Sequence, residues 1–205
     1  MTVYFVQTGH AQAGPDLRRH LTKRYSSCRL SEQTLLIATE EPAAAVARGL
    51  IGVAGKPRGV ENASGRTCLD WTMLVVALAG PWAGTLGSTA AKWVSRCLPV
   101  TTRSARPAVF VAHWDAPGPP WDRRDRPDGY FRSRFRDWVC PAFNTFLLRT
   151  RLGPDTLLAG IRNKWRGAPR RTRGREMAFV GELAGDYVAY LDGALPAWLA
   201  ARLRF

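Results

Sequence analysis

Short apolar runs, separated by polar stretches bearing glycine and proline, set the pattern of this chain. Residues 2–7 (TVYFVQ) are β-branched and aromatic and end at Thr8-Gly9, which predicts a buried first strand. Runs at 34–38 (TLLIA), 72–79 (TMLVVALA), 107–113 (PAVFVAH) and 156–161 (TLLAGI) predict four more strands. Helical spacing of apolar residues, or a helix-starting proline, predicts helices from Pro15-Asp16, from Pro42 and over Ser88 to Leu98. Three more are predicted over Trp138 to Arg151, Glu176 to Leu191 and Pro196 to Leu203. Gly52 to Arg66 is glycine-rich and reads as loop, and no internal repeat is evident along the chain. Short strands alternating with helices predict a single α/β domain over 1–205. Its core is a doubly wound, five-stranded, mainly parallel sheet with helices on both faces.

Composition changes this picture mainly through charge. The chain has 205 residues, of which 46% are apolar, enough to bury a core. Thirty Lys and Arg face sixteen Asp and Glu, a net charge of +14 that favours polyanionic partners: nucleic acid, an anionic surface or phosphorylated ligands. All but four of those cations are arginine, a bias that a GC-rich genome would also produce. Cys28, Cys68, Cys97 and Cys140 are scattered without a Cys-x-x-Cys pair, which argues against zinc and a disulfide framework and for a reducing cytoplasm. The N-terminal residues lack the basic-then-apolar pattern of a secretory signal.

The stretch GPWAGTLGSTAAKW, from Gly80 to Trp93, admits three readings. Trp71 to Ala91 carries no charge and is long enough to span a bilayer, but Pro81 and the small polar residues after Ala79 argue against a transmembrane segment. A phosphate-binding loop needs a lysine directly after a glycine at fixed spacing, and Lys92 comes too late. The third reading is a strand ending at Ala79, a turn at Gly80-Pro81 and a following helix, with a ligand at the strand end.

VVALAGPWAGTLGSTAAKWVSR resembles the central strand-loop-helix of flavodoxin-like NAD(P)H-dependent FMN reductases and quinone reductases, with Pro81, Trp82, Gly84, Lys92 and Trp93 on the family's pattern. Arg96 stands where that family usually has an acid, and Thr8-Gly9-His10 replaces its serine-bearing phosphate loop. The resemblance implies an oxidoreductase in which FMN takes hydride from NAD(P)H and passes it to a quinone-like small-molecule acceptor. The protein mostly positions the flavin. Thr8, Gly9 and His10 would lie near the flavin phosphate, Pro81, Trp82 and Gly84 beside the ring, and His113 and Trp114 at the end of the fourth strand. It also implies a homodimer.

Two basic segments support an alternative of another class, a non-catalytic basic α/β module that binds nucleic acid or a nucleotide ligand. DRRDRPDGYFRSRFRDW, from Asp122 to Trp138, interleaves arginine with Tyr130, Phe131, Phe135 and Trp138, but its four Asp residues point to self-pairing, so the second segment is the cleaner electrostatic signal. RNKWRGAPRRTRGR, from Arg162 to Arg175, holds seven cations and no acid. Arg162, Lys164, Arg166, Arg170, Arg171 and Arg173 are its candidate phosphate ligands, since arginine beside aromatics suits single-stranded nucleic acid. His113-Trp114-Asp115 offers a histidine beside a carboxylate for acid–base work, but a structural role is the simpler reading. The three histidines lack metal-ligand spacing, and TVYFVQTGH lacks the arginine and histidine of histidine phosphatases.

Overall fold

The computed structural model describes residues 1–9, 14–61, 67–98, 106–115, 127–142, 144–165, 177–191 and 195–203. Ten strands are β1 (Thr2–Gly9), β2 (Ser26–Ser31), β3 (Thr34–Thr39), β4 (Gly59–Glu61), β5 (Thr67–Leu69), β6 (Thr72–Thr85), β7 (Ala108–Asp115), β8 (Trp138–Ala142), β9 (Thr145–Thr150) and β10 (Met177–Tyr190). Six helices are α1 (Gly14–Arg24), α2 (Ala43–Ala54), α3 (Ser88–Cys97), α4 (Pro127–Arg134), α5 (Pro154–Trp165) and α6 (Leu195–Arg202).

The expected five-stranded parallel flavodoxin-like sheet is not what forms. Eight strands make one antiparallel sheet in the order β2-β3-β1-β6-β10-β7-β9-β8, and β4 and β5 pair separately. Three assignments account for the error. Residues 156–161, expected as a strand, are helical within α5, where Leu157, Leu158 and Ile161 share one face behind Pro154-Asp155 in the first turn. Trp138 to Arg151, expected as a helix, is the β8–β9 hairpin, with Trp138 opposite Leu148 and Val139 opposite Leu147. Glu176 to Leu191, expected as a helix, is β10, in which Ala178 and Val180 point to the same core at a period of two. Gly181 and Gly185 within it disfavour a helix.

The chain divides into two compact units, Met1–Leu78 with Ala184–Phe205, and Ala79–Leu183. In the first, the order β1-α1-β2-β3-α2-β6 gives strand neighbours β2-β3-β1-β6. In the second, β7-α4-β8-β9-α5-β10 gives β8-β9-β7-β10. Each is a β-α-β-β-α-β unit with the split, ferredoxin-like arrangement. The repeat that the sequence did not reveal is therefore present in the topology.

It extends to registers. Gln7 is opposite Thr34 and Thr2 opposite Thr39 in the first unit; His113 is opposite Thr145 and Ala108 opposite Thr150 in the second. TVYFVQTG thus corresponds to AVFVAHWD, and TLLIAT to TFLLRT. Six polar side chains among the described residues are buried. Five of them, Gln7, Ser31, Thr34, His113 and Thr145, occupy this one row of the two repeats.

Each repeat buries one sheet face under its own two helices. Tyr4, Val6, Leu35, Ile37, Met73 and Val75 pack with Leu17 and Leu21 of α1 and Val46 and Leu50 of α2. Phe110, Ala112, Phe146, Leu148 and Val180 pack with Phe131 of α4 and Leu157 and Ile161 of α5. The opposite faces are buried too, since Phe5, Leu36, Leu74, Val111, Leu147 and Phe179 are inaccessible.

Helix ends and crossings follow from particular residues. Ala43, first in α2, donates its backbone N–H to the Asp186 carboxylate at 2.9 Å, which also accepts the Tyr4 hydroxyl at 2.5 Å. That carboxylate satisfies a helix-terminal donor that Pro42 cannot cap. Burial, then the hydrogen bond to Asp186, pushes the Tyr4 hydroxyl well above the usual phenol range. Gly55 ends α2 at φ 79°, a conformation that suits glycine, and donates to Ile51 O at 2.8 Å.

Gly160 of α5 lies against Tyr130 of α4, so that an added Cβ would stand 2.2 Å from the ring. We therefore expect Gly160→Ala to destabilise by about 1–3 kcal/mol through overpacking. Gly52→Ala, in open space in α2, should stabilise by about 0.5–1 kcal/mol. Urea denaturation of the two variants checks both signs, and a loss in both would contradict the packing described.

Candidate functional site

The surface with the most distinctive chemistry is built on α4 and the strand that follows it. Phe131 and Phe135 are one turn apart on α4 and its end, and the Tyr130 ring lies 5.2 Å from Phe131 and 5.9 Å from Phe135. Phe131 stacks on Phe146 at 5.1 Å and on Trp114 at 5.8 Å, and Trp138 lies 5.2 Å from Phe146. Phe131 and Phe146 are inaccessible, while Tyr130, Phe135 and Trp138 are half-buried.

The exposed cations stand over this cluster. The Arg132 guanidinium lies 5.0 Å from the Trp138 ring and 5.8 Å from Phe146; that of Arg134 lies 5.9 Å from Tyr130. Arg136, Arg149 and Arg151 are also exposed nearby in the sequence of the same unit. At these distances the cations gain a favourable electrostatic contact with the ring faces.

The corresponding surface of the first repeat is internally neutralised. Arg24 bonds Glu41 at 2.8 Å and Tyr25 donates to the same carboxylate at 2.9 Å. The Arg24 hydrogen bond, then that of Tyr25, holds Glu41 below the ordinary carboxylate range. Burial, then the bond to Glu41, pushes the Tyr25 hydroxyl up to about 12. Glu32 pairs with both Arg18 and Arg29, and Arg19 pairs with Asp16 at 3.2 Å.

The registers show what replaces those acids. Glu32 lies two residues before Thr34; two residues before Thr145 the sequence has Phe143. Glu40 follows Thr39, and Arg151 follows Thr150. Glu41 precedes Pro42, and Gly153 precedes Pro154. Arg24 precedes Tyr25 at the end of α1, and Arg134 precedes Phe135 at the end of α4. At the helix end the second repeat keeps the arginine, Arg134 for Arg24, and has Gly153 where the first has Glu41.

The turn expected at Gly80-Pro81, beside the flavin ring, does not form. β6 does not end at Ala79 but runs through Gly80-Pro81 to Thr85, so the expected turn is absent. Its β1 partner stops at Val3 opposite Leu78, and Pro81 therefore removes no bond from that side. Trp82 stacks on Phe179 at 6.2 Å, and an added Cβ at Gly84 would stand 3.0 Å from Ala178 O. These small and flat residues serve close strand packing.

Thr8 and Gly9 end β1, which runs antiparallel to β6, beside Met73 and Thr72 in the first unit; Pro81, Trp82 and Gly84 belong to the second. His113 and Trp114 lie inside β7. Trp114 is in the aromatic core, and His113 Nδ1 is 2.9 Å from Thr145 Oγ1. Full burial lowers the His113 pKa to about 3, so the imidazole is neutral near pH 7.

Of the candidate phosphate ligands, Arg162 is exposed near the end of α5 and Lys164 belongs to the same helix. His10, Arg166, Arg170, Arg171 and Arg173 lie outside the described residues. The sequence reading found the α4 arginines and aromatics but missed Phe146. The signal that would have found it is the likeness of TLLIAT to TFLLRT.

Among the described residues no group of three or more His, Cys, Asp or Glu is placed to hold a metal ion. No helix among them is long and apolar enough to cross a membrane. No protein-family model matches the chain, and no curated protein matches it significantly.

Proposed function

We propose that this protein is a nucleic-acid-binding module whose basic second repeat contacts the phosphate backbone. One observation carries the reading: the charge is segregated between two units of the same topology. Within 79–183 there are 19 of the 30 Lys and Arg but 8 of the 16 Asp and Glu, a net of +11, leaving +3 for the remainder. A chain-wide bias toward arginine would raise both units alike. The fold does not demand the difference either, because the first repeat forms the same β-α-β-β-α-β order in a unit with eleven Lys and Arg against eight Asp and Glu. At least eleven cations in 79–183 exceed the acids there, and phosphates are the chemistry that uses such an excess.

The arginine-rich segment 162–175 belongs to this same basic unit and adds to its positive field. The flavin reading has no comparable support, since the turn expected beside the flavin ring is part of β6.

Anisotropy titration of fluorescein-labelled 20-nucleotide single strands and duplexes at 50 mM salt tests the reading. Binding with a Kd of about 1–100 µM or tighter is expected, the range of electrostatic nucleic-acid association. An unchanged anisotropy for every probe up to several hundred micromolar protein would overturn it.

A further inference from the structure

We infer that the first repeat binds one buried water molecule between Ser31, Thr34 and Gln7, as a fixed component of its fold. The inference is independent of the nucleic-acid reading and concerns the polar row that the two repeats share. In the antiparallel register Ser31 is opposite Thr34, and Thr34 is opposite Gln7. Three polar side chains of β2, β3 and β1 therefore stand side by side on one face. That face is turned away from α1 and α2, because the alternate residues Tyr4, Val6, Leu35 and Ile37 are those that pack with the helices. Its next residues, Phe5 and Leu36, are apolar and inaccessible.

Burial makes hydrogen-bond partners obligatory here. Thr34 has no exposed surface, and Ser31 and Gln7 are 5% and 4% exposed. The hydroxyl oxygens of Ser31 and Thr34 are buried and meet no hydrogen-bond partner among the described residues, and the Gln7 carboxamide oxygen is buried as well. A buried hydroxyl without a partner forfeits the bonds it makes to solvent in the unfolded chain, and two opposite each other double that loss. A single water between them accepts from one hydroxyl and donates to the other. Its second proton is left for the Gln7 carboxamide oxygen, which brings it to the about three bonds typical of an enclosed water. Side chains this enclosed offer no open mouth to a larger ligand.

The second repeat shows why the first needs the water. Both repeats hold this threonine alike: Thr8 N–H donates to Gln33 O at 2.9 Å and Trp114 N–H donates to Asn144 O at 3.0 Å, one residue before Thr34 and Thr145. The neighbours differ. Alanine, at Ala142, is opposite Thr145 where Ser31 is opposite Thr34, so the second row has one hydroxyl fewer. His113 is opposite Thr145 where Gln7 is opposite Thr34, and its Nδ1 lies 2.9 Å from Thr145 Oγ1. What the imidazole supplies directly to Thr145, the water supplies to Thr34.

Removing each hydroxyl without changing the shape of the side chain separates a hydrated site from a dry one by sign. Thr34→Val, Ser31→Ala and the double variant are compared with the full wild-type chain by urea denaturation. With the water bound, each single variant should lower the folding equilibrium constant about fivefold, the scale of one lost hydrogen bond. The double variant should lose clearly less than the product of the two, because both hydroxyls bind the same water. A high-resolution crystal structure of the wild-type chain should show solvent density about 2.7–2.8 Å from both oxygens, the usual O–H···O separation. An unchanged or increased stability of Thr34→Val would mean that its hydroxyl is dry, and would overturn the inference. Losses that multiply in full would overturn the shared water, as would a wild-type crystal structure without density between the two oxygens.

Discussion

Phe146→Ala should cost about 3–5 kcal/mol of folding stability, the range for removing a buried phenylalanine. Phe146 is inaccessible and lies within 5.1–5.7 Å of the rings of Phe131, Trp138 and Trp114. Truncation removes the ring against which three others stack, and neighbours held by two helices and a sheet cannot collapse fully into the gap. Domains of this size are typically stable by about 5–15 kcal/mol, so the variant would forfeit a large share of the margin. The equivalent position in the first repeat is Leu35, and Phe146→Leu should recover much of the loss by refilling the space. Urea midpoints for the two variants decide the point. A loss below about 1 kcal/mol for Phe146→Ala would show that this ring is not the centre of the second core.

The second large effect is on pH dependence. His113 has a folded pKa of about 3, lowered by burial, against about 6.5 for an unperturbed histidine. Below pH 6.5 the unfolded chain takes up a proton that the folded chain refuses, so stability falls as the pH falls. The contribution is fully present above 6.5 and is lost toward pH 3, at up to about 1.4 kcal/mol per pH unit. His113→Gln should remove this slope while retaining a hydrogen-bonding group opposite Thr145. Glutamine is the residue that the first repeat places at the same register position, Gln7 opposite Thr34. Denaturation curves between pH 4 and 7.5 check the expectation; identical slopes for wild type and variant would contradict it.

Much of the local structure was legible from the chain. β1, β3 and β7 lie close to the first, second and fourth apolar runs. α1 begins next to Pro15, while α2 and α3 begin at the expected cues. The topology was not legible, for two physical reasons. A short apolar run such as TLLAGI reads as strand or helix until its neighbours are known, because burial on all sides hides the period. The β8–β9 segment was misread in the opposite sense, and that concealed a hairpin. Losing that hairpin turned a β-α-β-β-α-β unit into an apparent βαβ alternation, from which a parallel sheet follows.

The β2 strand was lost for a different reason. Ser26–Ser31 (SSCRLS) is polar because it is an edge strand, and only its register with β3 reveals it. The site was partly legible. The arginines and aromatics of 122–138 stood out by composition, whereas the place of Phe146 beneath them appears only once α4 packs on β9. The apparent cofactor mouth at 80–84 misled because glycine, proline and tryptophan within a long strand carry the same letters as a turn.

The central claim is that charge on the second repeat binds the nucleic-acid backbone, and the salt dependence of oligouridine binding tests it most directly. For a single strand, the logarithm of the binding constant falls with the logarithm of salt concentration by about 0.7 for each phosphate neutralised. Contact by four to eight cations predicts a slope of about −3 to −6 between 50 and 200 mM salt. A slope near zero with binding retained would show that the surplus arginines are not what holds the strand, and would contradict the account.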